Sequence, residues 1–69
     1  MTWDEISGRW TAMRGRMRER WGRLTNNDGS VIGGRRDQLI GLLQQRYGST
    51  VGEIEQQIGS FERQVARGR

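Results

Sequence analysis

The chain has 69 residues, of which 32% are apolar, 12 are basic and 8 are acidic, for a net charge of +4. This length suffices for one small domain, over residues 1–69, whose core must be built from few side chains. The absence of cysteine excludes disulfides, thiolate catalysis and sulfur-ligated zinc, and the absence of histidine removes the commonest metal ligand and the usual general base. We therefore expect no enzyme activity, no metal and no cofactor.

The chain also lacks the features of a membrane or secreted protein. No apolar run approaches the roughly 18 residues that a transmembrane helix needs, and the N-terminal segment is polar, with Asp4 and Glu5. Neither a membrane span nor a secretory signal is expected, and a cytoplasmic location is the default.

The first predicted helix covers about residues 3–22. Thr2 with Glu5 three residues later is a capping box, and Gly22 is a natural C-terminal stop. The apolar residues in this region are three or four positions apart, which is typical of an amphipathic helix. They are Trp3, Ile6, Trp10, Met13, Met17, Trp21 and Leu24.

Three further helices are predicted. A short second helix at about 26–33 follows the start signal of Thr25 with Asp28. The third, at about 34–47, has the widest apolar arc and is expected to be the most buried element. The fourth, at about 51–66, begins after Thr50 and carries a narrow apolar seam.

An internal repeat with an offset of 26 relates the two halves of the chain. Residues 8–22 align with residues 34–48, and the glycines at the first, eighth and last positions of both segments coincide. Two similar structural units are therefore expected. The predicted fold is all-α, a small four-helix domain of two packed αα-hairpins with a short second helix. The competing architecture is a longer helical hairpin that dimerises.

The excess positive charge lies on the first predicted helix, and every basic residue of the chain is arginine. Cations interleaved with Trp10 and Trp21 are typical of nucleic-acid-binding surfaces. The tryptophans lie in the apolar seam, however, which favours a core role, and the arginines can equally form a solvated rim along that seam. The candidate surface for an anionic partner, nucleic acid included, consists of Arg9, Arg14, Arg16, Arg18, Arg20 and Arg23.

Two glycines lie inside predicted helices without serving as caps. Gly15 and Gly41 occupy equivalent positions of the repeat, and each costs about 1 kcal/mol relative to alanine in a helix interior. One interpretation is a face where a backbone or a partner comes close, and the alternative is tolerance of an exposed glycine. Together with the apolar Leu42, these glycines form a candidate contact face for self-association or another protein.

Several segments resemble the CsbD-like family of small bacterial stress proteins. They read Trp-Gly-Arg-Leu-Thr at 21–25, Val-Ile-Gly-Gly-Arg-Arg-Asp-Gln-Leu-Ile-Gly at 31–41 and Leu-Gln-Gln-Arg-Tyr-Gly at 43–48. The opening Gly-Arg-Trp at 8–10 is similar to the family's Gly-Lys-Trp, so the resemblance covers residues 1 to about 63. It implies a small helical fold like that of SAM-type domains and a role in general stress responses. It implies no enzyme activity, cofactor or established binding residues.

The chain departs from the family pattern at a few positions. Asn26 and Asn27 stand where the family usually has aspartates, arginine replaces lysine, and Leu42 occupies a position that is usually lysine. The leading expectation is a non-enzymatic general stress-response protein that acts by binding or solvation. The alternatives are nucleic-acid or ribosome binding through the arginine-rich first helix, and a protein-interaction module or homodimer.

Overall fold

Five helices make up the part of the chain that the computed structural model describes, residues 2–67, which contains no strand. The all-α prediction is confirmed, with five helices in place of the four predicted; the outermost residues of the predicted 1–69 domain lie outside the described range. The helices are α1 (Trp3–Gly8), α2 (Trp10–Arg20), α3 (Asn26–Ile32), α4 (Arg36–Tyr47) and α5 (Val51–Ala66).

The first predicted helix, at about 3–22, is two helices in the structure. Arg9 separates α1 from α2 with φ −118° and ψ 31°, which is outside the helical region. Gly8 makes this a weak point in the helix, because glycine has a low helix propensity. The break lets α1 pack against the rest of the fold, where Ile6 is fully buried and the Trp3 indole N–H donates to the Gly34 carbonyl at 2.9 Å.

The helices follow the internal repeat. Both α2 and α4 begin at equivalent positions, Trp10 and Arg36, and the residues before them, Arg9 and Arg35, are both N-caps. The break between α1 and α2 is thus the counterpart of the connection between α3 and α4. Each copy of the repeat therefore contains a helix that begins at the same position, α2 in the first copy and α4 in the second.

The core takes apolar side chains from every helix, and α5 contributes the most of them. The expectation that the third predicted helix would be the most buried is wrong. Two residues of that helix, α4, are buried, while its Ile40 and Leu42 are only partly covered. Four residues of the narrow seam of α5, Ile54, Ile58, Phe61 and Val65, are buried, whereas Val51 at its start is 46% exposed. The buried apolar residues are Ile6, Met17, Trp21, Leu24, Ile32, Leu39, Leu43, Ile54, Ile58, Phe61 and Val65.

All three tryptophans pack on the core, Trp21 as a buried residue and Trp3 and Trp10 as partly buried ones. The Trp10 indole N–H donates to the Gly29 carbonyl at 2.8 Å, and the Trp21 indole N–H donates to Gln57 Oε1 at 3.1 Å. Trp21 also packs against Phe61, with the ring centroids 5.4 Å apart. The prediction that Trp10 and Trp21 lie in the apolar seam is confirmed, so these rings are not a free platform for stacking bases.

A close approach of backbone to a glycine does occur, but at Gly34. This residue has φ +84°, and a Cβ placed on it would lie 2.9 Å from Ser7 Oγ and 3.3 Å from the Ser7 backbone. Around Gly15 and Gly41, no atom of the described residues would lie within 4 Å of such a Cβ, apart from the adjoining residues and the backbone of the helix itself. Within the chain, the close approach to a glycine therefore occurs between Ser7 of α1 and Gly34, in the turn between α3 and α4.

Alanine substitutions should separate these two kinds of glycine. We expect Gly15→Ala to raise the free energy of unfolding by about 1 kcal/mol, and the melting temperature by about 4–8 °C, because the helix gains propensity at an open position. Gly34→Ala should lower the melting temperature, because its added Cβ meets Ser7 and its φ is positive. Thermal unfolding followed by circular dichroism measures both. A loss of stability in Gly15→Ala would show that something does approach that face.

Candidate functional site

The six arginines of the candidate surface are not one stripe. Residues two positions apart on a helix are about 200° apart around its axis, so the pairs Arg14 with Arg18 and Arg16 with Arg20 lie on opposite flanks of α2. Arg9 lies at the break before α2, and Arg23 lies beyond its last residue. The seven-residue spacing of Arg9, Arg16 and Arg23 therefore does not trace one helix edge.

The flank of α2 that faces α3 holds its arginines with neutral partners. Arg18 Nη1 donates to Asn26 Oδ1 at 2.8 Å, and Arg14 Nη1 donates to Ser30 Oγ at 3.3 Å. The Arg14 stem runs along α3, 3.6 Å from the position that a Cβ on Gly29 would take. These hydrogen bonds orient the guanidinium groups without neutralising their charge.

The other flank of α2 faces α5. Arg16 and Arg20 border a groove in which Phe61 and Val65 of α5 form the floor. The Arg20 guanidinium carbon lies 5.9 Å from the centroid of the Trp21 ring, a distance at which a cation is attracted to an aromatic face. Arg20 is thereby held beside the groove while remaining exposed to solvent.

Arg23 has a structural role. Its backbone N–H donates to the Tyr47 hydroxyl at 3.0 Å, and its Nη1 donates to the Arg46 carbonyl at 3.1 Å. Its guanidinium carbon also lies 5.3 Å from the Tyr47 ring centroid. Arg23 therefore ties the segment after α2 to the C-terminal end of α4, which leaves it less free for a partner than the arginines of α2.

Two salt bridges in the described residues use other arginines. Arg36 Nη2 lies 2.6 Å from Glu55 Oε1 on the surface, and Arg46 Nη2 lies 2.8 Å from Asp28 Oδ1. Neither of these two pairs includes a residue of the candidate surface.

Asp28 is a buried carboxylate, only 3% exposed, and sequence reasoning found only part of its role. It accepts from the Thr25 N–H at 3.0 Å, as the predicted helix start requires, and it also accepts from Arg46 Nη2 and Nε. The Arg46 hydrogen bond, followed by that from the Thr25 backbone, lowers the pKa of Asp28 below its ordinary value. The pairing with Arg46 escaped prediction because it joins two helices whose relative placement the sequence does not specify.

The candidate contact face is only partly assembled. Gly41 and Leu42 line a shallow depression together with Val31, which is 45% exposed. Gly15 lies on α2, outside that depression. Sequence analysis missed Val31, which it had assigned to the short second helix without a role; the available signal was that neighbouring helical positions face different directions, so Val31 and Ile32 cannot both face the core.

The described residues contain neither a metal-binding cluster nor a membrane-spanning helix. No cluster of three or more acidic side chains that could hold a metal ion occurs in residues 2–67. No helix in that range is long and apolar enough to cross a membrane.

Comparison of the sequence with known proteins identifies the family of this chain. The family model described as CsbD-like matches residues 4–56, which takes in α1 to α4 and the start of α5. The chain belongs to the CsbD-like family. The predicted resemblance is confirmed, and the candidate arginines on α2 all lie within the matched segment.

Related CsbD-like proteins align over most of their length. The UPF0337 protein YjbJ of Escherichia coli O6:H1 is 41% identical over 63 residues, which is 91% of each chain. YjbJ of Salmonella typhimurium is 44% identical over 62 residues, 90% of this chain and 89% of that protein. A UPF0337 protein of Protochlamydia amoebophila is 39% identical over 62 residues, 90% of this chain and 94% of its own. No solved structure matches, so the likeness to SAM-type domains stays a prediction.

The buried carboxylate should make the stability of this CsbD-like protein depend on pH. Because the folded state keeps Asp28 charged at a lower pH than the unfolded chain does, the unfolded state binds more protons. The contribution of Asp28 is complete above its ordinary pKa of 3.8 and is lost as the pH falls through the lowered folded value. Chemical denaturation between pH 7 and pH 2.5 should show this loss.

Asp28→Asn isolates that contribution. We expect it to lower the free energy of unfolding at pH 7 by roughly 1–3 kcal/mol, since a buried charged hydrogen-bond acceptor is replaced by a neutral one. The difference from the unmodified protein should shrink at pH 2.5. Asp37→Asn is the matched control, an exposed carboxylate in the first turn of α4. Equal stability of Asp28→Asn and Asp37→Asn at pH 7 would contradict the assignment.

Proposed function

We propose that this protein acts without catalysis, as a CsbD-like stress-response protein that binds nucleic acid through the arginines of α2. The supporting observation is that Arg14 and Arg18 are oriented by the neutral groups of Ser30 and Asn26, while the salt bridges of the described residues use other arginines. The hydrogen bonds to Ser30 and Asn26 therefore orient the guanidinium groups of Arg14 and Arg18 without neutralising their positive charge.

Phosphate is the anion that this surface fits best. A guanidinium group is planar and can donate two parallel hydrogen bonds to one phosphate, and twelve arginines with no lysine make such contacts frequent. The net charge of +4 also attracts a polyanion at a distance. Because the tryptophan rings pack on the core and the indole N–H groups of Trp10 and Trp21 are hydrogen-bonded within the chain, we propose that binding reads the phosphate backbone rather than the base sequence.

The state of the carboxylates supports a role without catalysis. A general acid works best when its pKa lies near the working pH, which for a carboxyl group requires an upward shift. The pKa values of Glu5, Asp28, Glu53 and Glu55 are all lowered, in Glu5 and Glu53 mainly by capping hydrogen bonds and in Asp28 and Glu55 mainly by arginine. These groups stabilise helices and helix pairs as charged acceptors.

Binding to a labelled 20-nucleotide RNA, measured by fluorescence anisotropy between 50 and 300 mM salt, tests the proposal. If about four phosphates are contacted, the logarithm of the affinity should fall with the logarithm of salt concentration with a slope of about −3. Arg14→Gln/Arg18→Gln should weaken binding and flatten the slope. Arg35→Gln/Arg36→Gln removes the same charge at the start of α4 and is the control. No salt-dependent binding, or equal losses in both variants, would overturn the proposal.

Self-association is a second candidate, favoured by one observation. Val31 and Leu42 present apolar surface beside Gly41, at which no side chain fills the space. If a second copy covers this face, sedimentation at high protein concentration should show a dimer that Leu42→Lys abolishes. Val51→Lys is the control, because Val51 at the start of α5 is apolar and 46% exposed, about as exposed as Val31 at 45%. A monomer at every concentration would exclude this candidate.

A further inference from the structure

A groove between α2 and the C-terminal half of α5 carries arginines from both helices. Arg20 of α2 lies on one side, and Arg63 with Arg67 lies on the other. Ser60 and Gln64 complete its lining, and the groove has a volume of about 340 Å³. Every side chain in this lining is polar, and three of the five are cationic, so the groove suits an anion.

The packing of α5 explains why these side chains meet. Positions 60, 63, 64 and 67 follow the three-four spacing of one helix face. The adjacent face holds Phe61 and Val65, which are buried in the core and fix the rotation of the helix. With that rotation set, Arg63 and Arg67 lie beside Arg20, although 43 residues or more separate them from it in the sequence.

The arginines are placed by local contacts. Arg63 Nη1 lies 3.5 Å from the position that a Cβ on Gly59 would occupy, so this side chain lies along the surface of α5. Arg20 is held against the Trp21 ring, as described above. The negative end of the α5 dipole also favours cations near its last turn, which stabilises Arg63 and Arg67 where they are.

The groove continues on both sides of Arg20. Toward the middle of α2 it joins the depression lined by Arg16 and Glu19 and floored by Phe61. In the other direction Arg20 borders a depression that contains Tyr47, which is 37% exposed. A line of cations next to an exposed aromatic ring is typical of surfaces that track a single strand.

We propose that this groove binds a phosphate group of single-stranded nucleic acid, held between Arg20 on α2 and the pair formed by Arg63 on α5 and Arg67 just beyond its end. The guanidinium groups donate charge-assisted hydrogen bonds to the phosphate oxygens, and the Ser60 hydroxyl and Gln64 amide are additional neutral donors. The identity of the ligand rests on the proposed function. The same chemistry would accept the phosphate of a free mononucleotide, which the experiment must separate.

The first experiment compares variants in the anisotropy assay with the 20-nucleotide RNA. Arg63→Gln/Arg67→Gln should lower the affinity about tenfold at 100 mM salt and flatten the salt slope by about 1, because the contact with one phosphate is lost. Arg35→Gln/Arg36→Gln is again the control of equal charge. Melting temperatures from circular dichroism verify that each variant is folded. RNA binding by Arg63→Gln/Arg67→Gln equal to that of the control would overturn this inference while leaving the proposed function standing.

The second experiment identifies the source of the phosphate. The side-chain Nε–H resonances of the arginines are followed by NMR in phosphate-free buffer during separate titrations with the RNA, with adenosine monophosphate and with inorganic phosphate. We expect the RNA to shift Arg20, Arg63 and Arg67 at far lower concentration than either small probe does, with Arg35 unchanged.

Two other results of the titrations decide between the hypotheses. Shifts of Arg20, Arg63 and Arg67 with adenosine monophosphate or inorganic phosphate, and no shift of any arginine with RNA, would keep the phosphate site and overturn the proposed function. If none of the three probes shifts Arg20, Arg63 or Arg67, this inference is overturned, and the proposed function is overturned with it only if RNA also leaves Arg14 and Arg18 unshifted.

Discussion

The fold depends on how α1 packs against the turn between α3 and α4. The Trp3 indole N–H donates to the Gly34 carbonyl, and the Trp10 indole N–H donates to the Gly29 carbonyl. Ser7 lies so close to Gly34 that a Cβ on residue 34 would not fit. This contact requires the chain to break at Arg9, since α1 must leave the direction of α2 to reach the turn. It closes the N-terminal end of a core that has only eleven buried apolar side chains. In so small a core, each such bond carries a large share of the specificity of packing.

Much of the fold was predictable from local rules. The starts of α1, α3 and α5 follow from capping residues, because an N-cap hydroxyl with an acid three positions later satisfies backbone groups without help from the rest of the chain. The seam of α5 follows from spacing alone. The break at Arg9 was missed because the three-four spacing of apolar residues runs across it, and such spacing reports which side faces the core, not whether the backbone stays helical. The repeat did contain the answer, since Arg9 aligns with Arg35 and both precede a helix.

The candidate site was less predictable, because it depends on where helices lie relative to one another. Helical geometry alone could have divided Arg14 with Arg18 from Arg16 with Arg20, but nothing local says that the second pair would face α5. Arg63 was equally invisible as a site residue, since its relation to Arg20 exists only after α5 has buried Phe61. The pairing of Asp28 with Arg46 is of the same kind. Sequence patterns identify a charged helix; its partners are set by packing.

The two copies of the repeat explain how one domain can hold both a core and a charged surface. Met17 of α2 and Leu43 of α4 occupy equivalent positions of the repeat, and both are buried. The two helices therefore turn the same position of the repeat toward the core. Beside that position they diverge: Ile40 and Leu42 of α4 stand where α2 has Arg14 and Arg16. Long arginine stems can cover the edge of the core as aliphatic residues do, while their charged ends reach solvent. The charge on α2 therefore need not weaken the packing, and a polyanion could bind there without disturbing the interior.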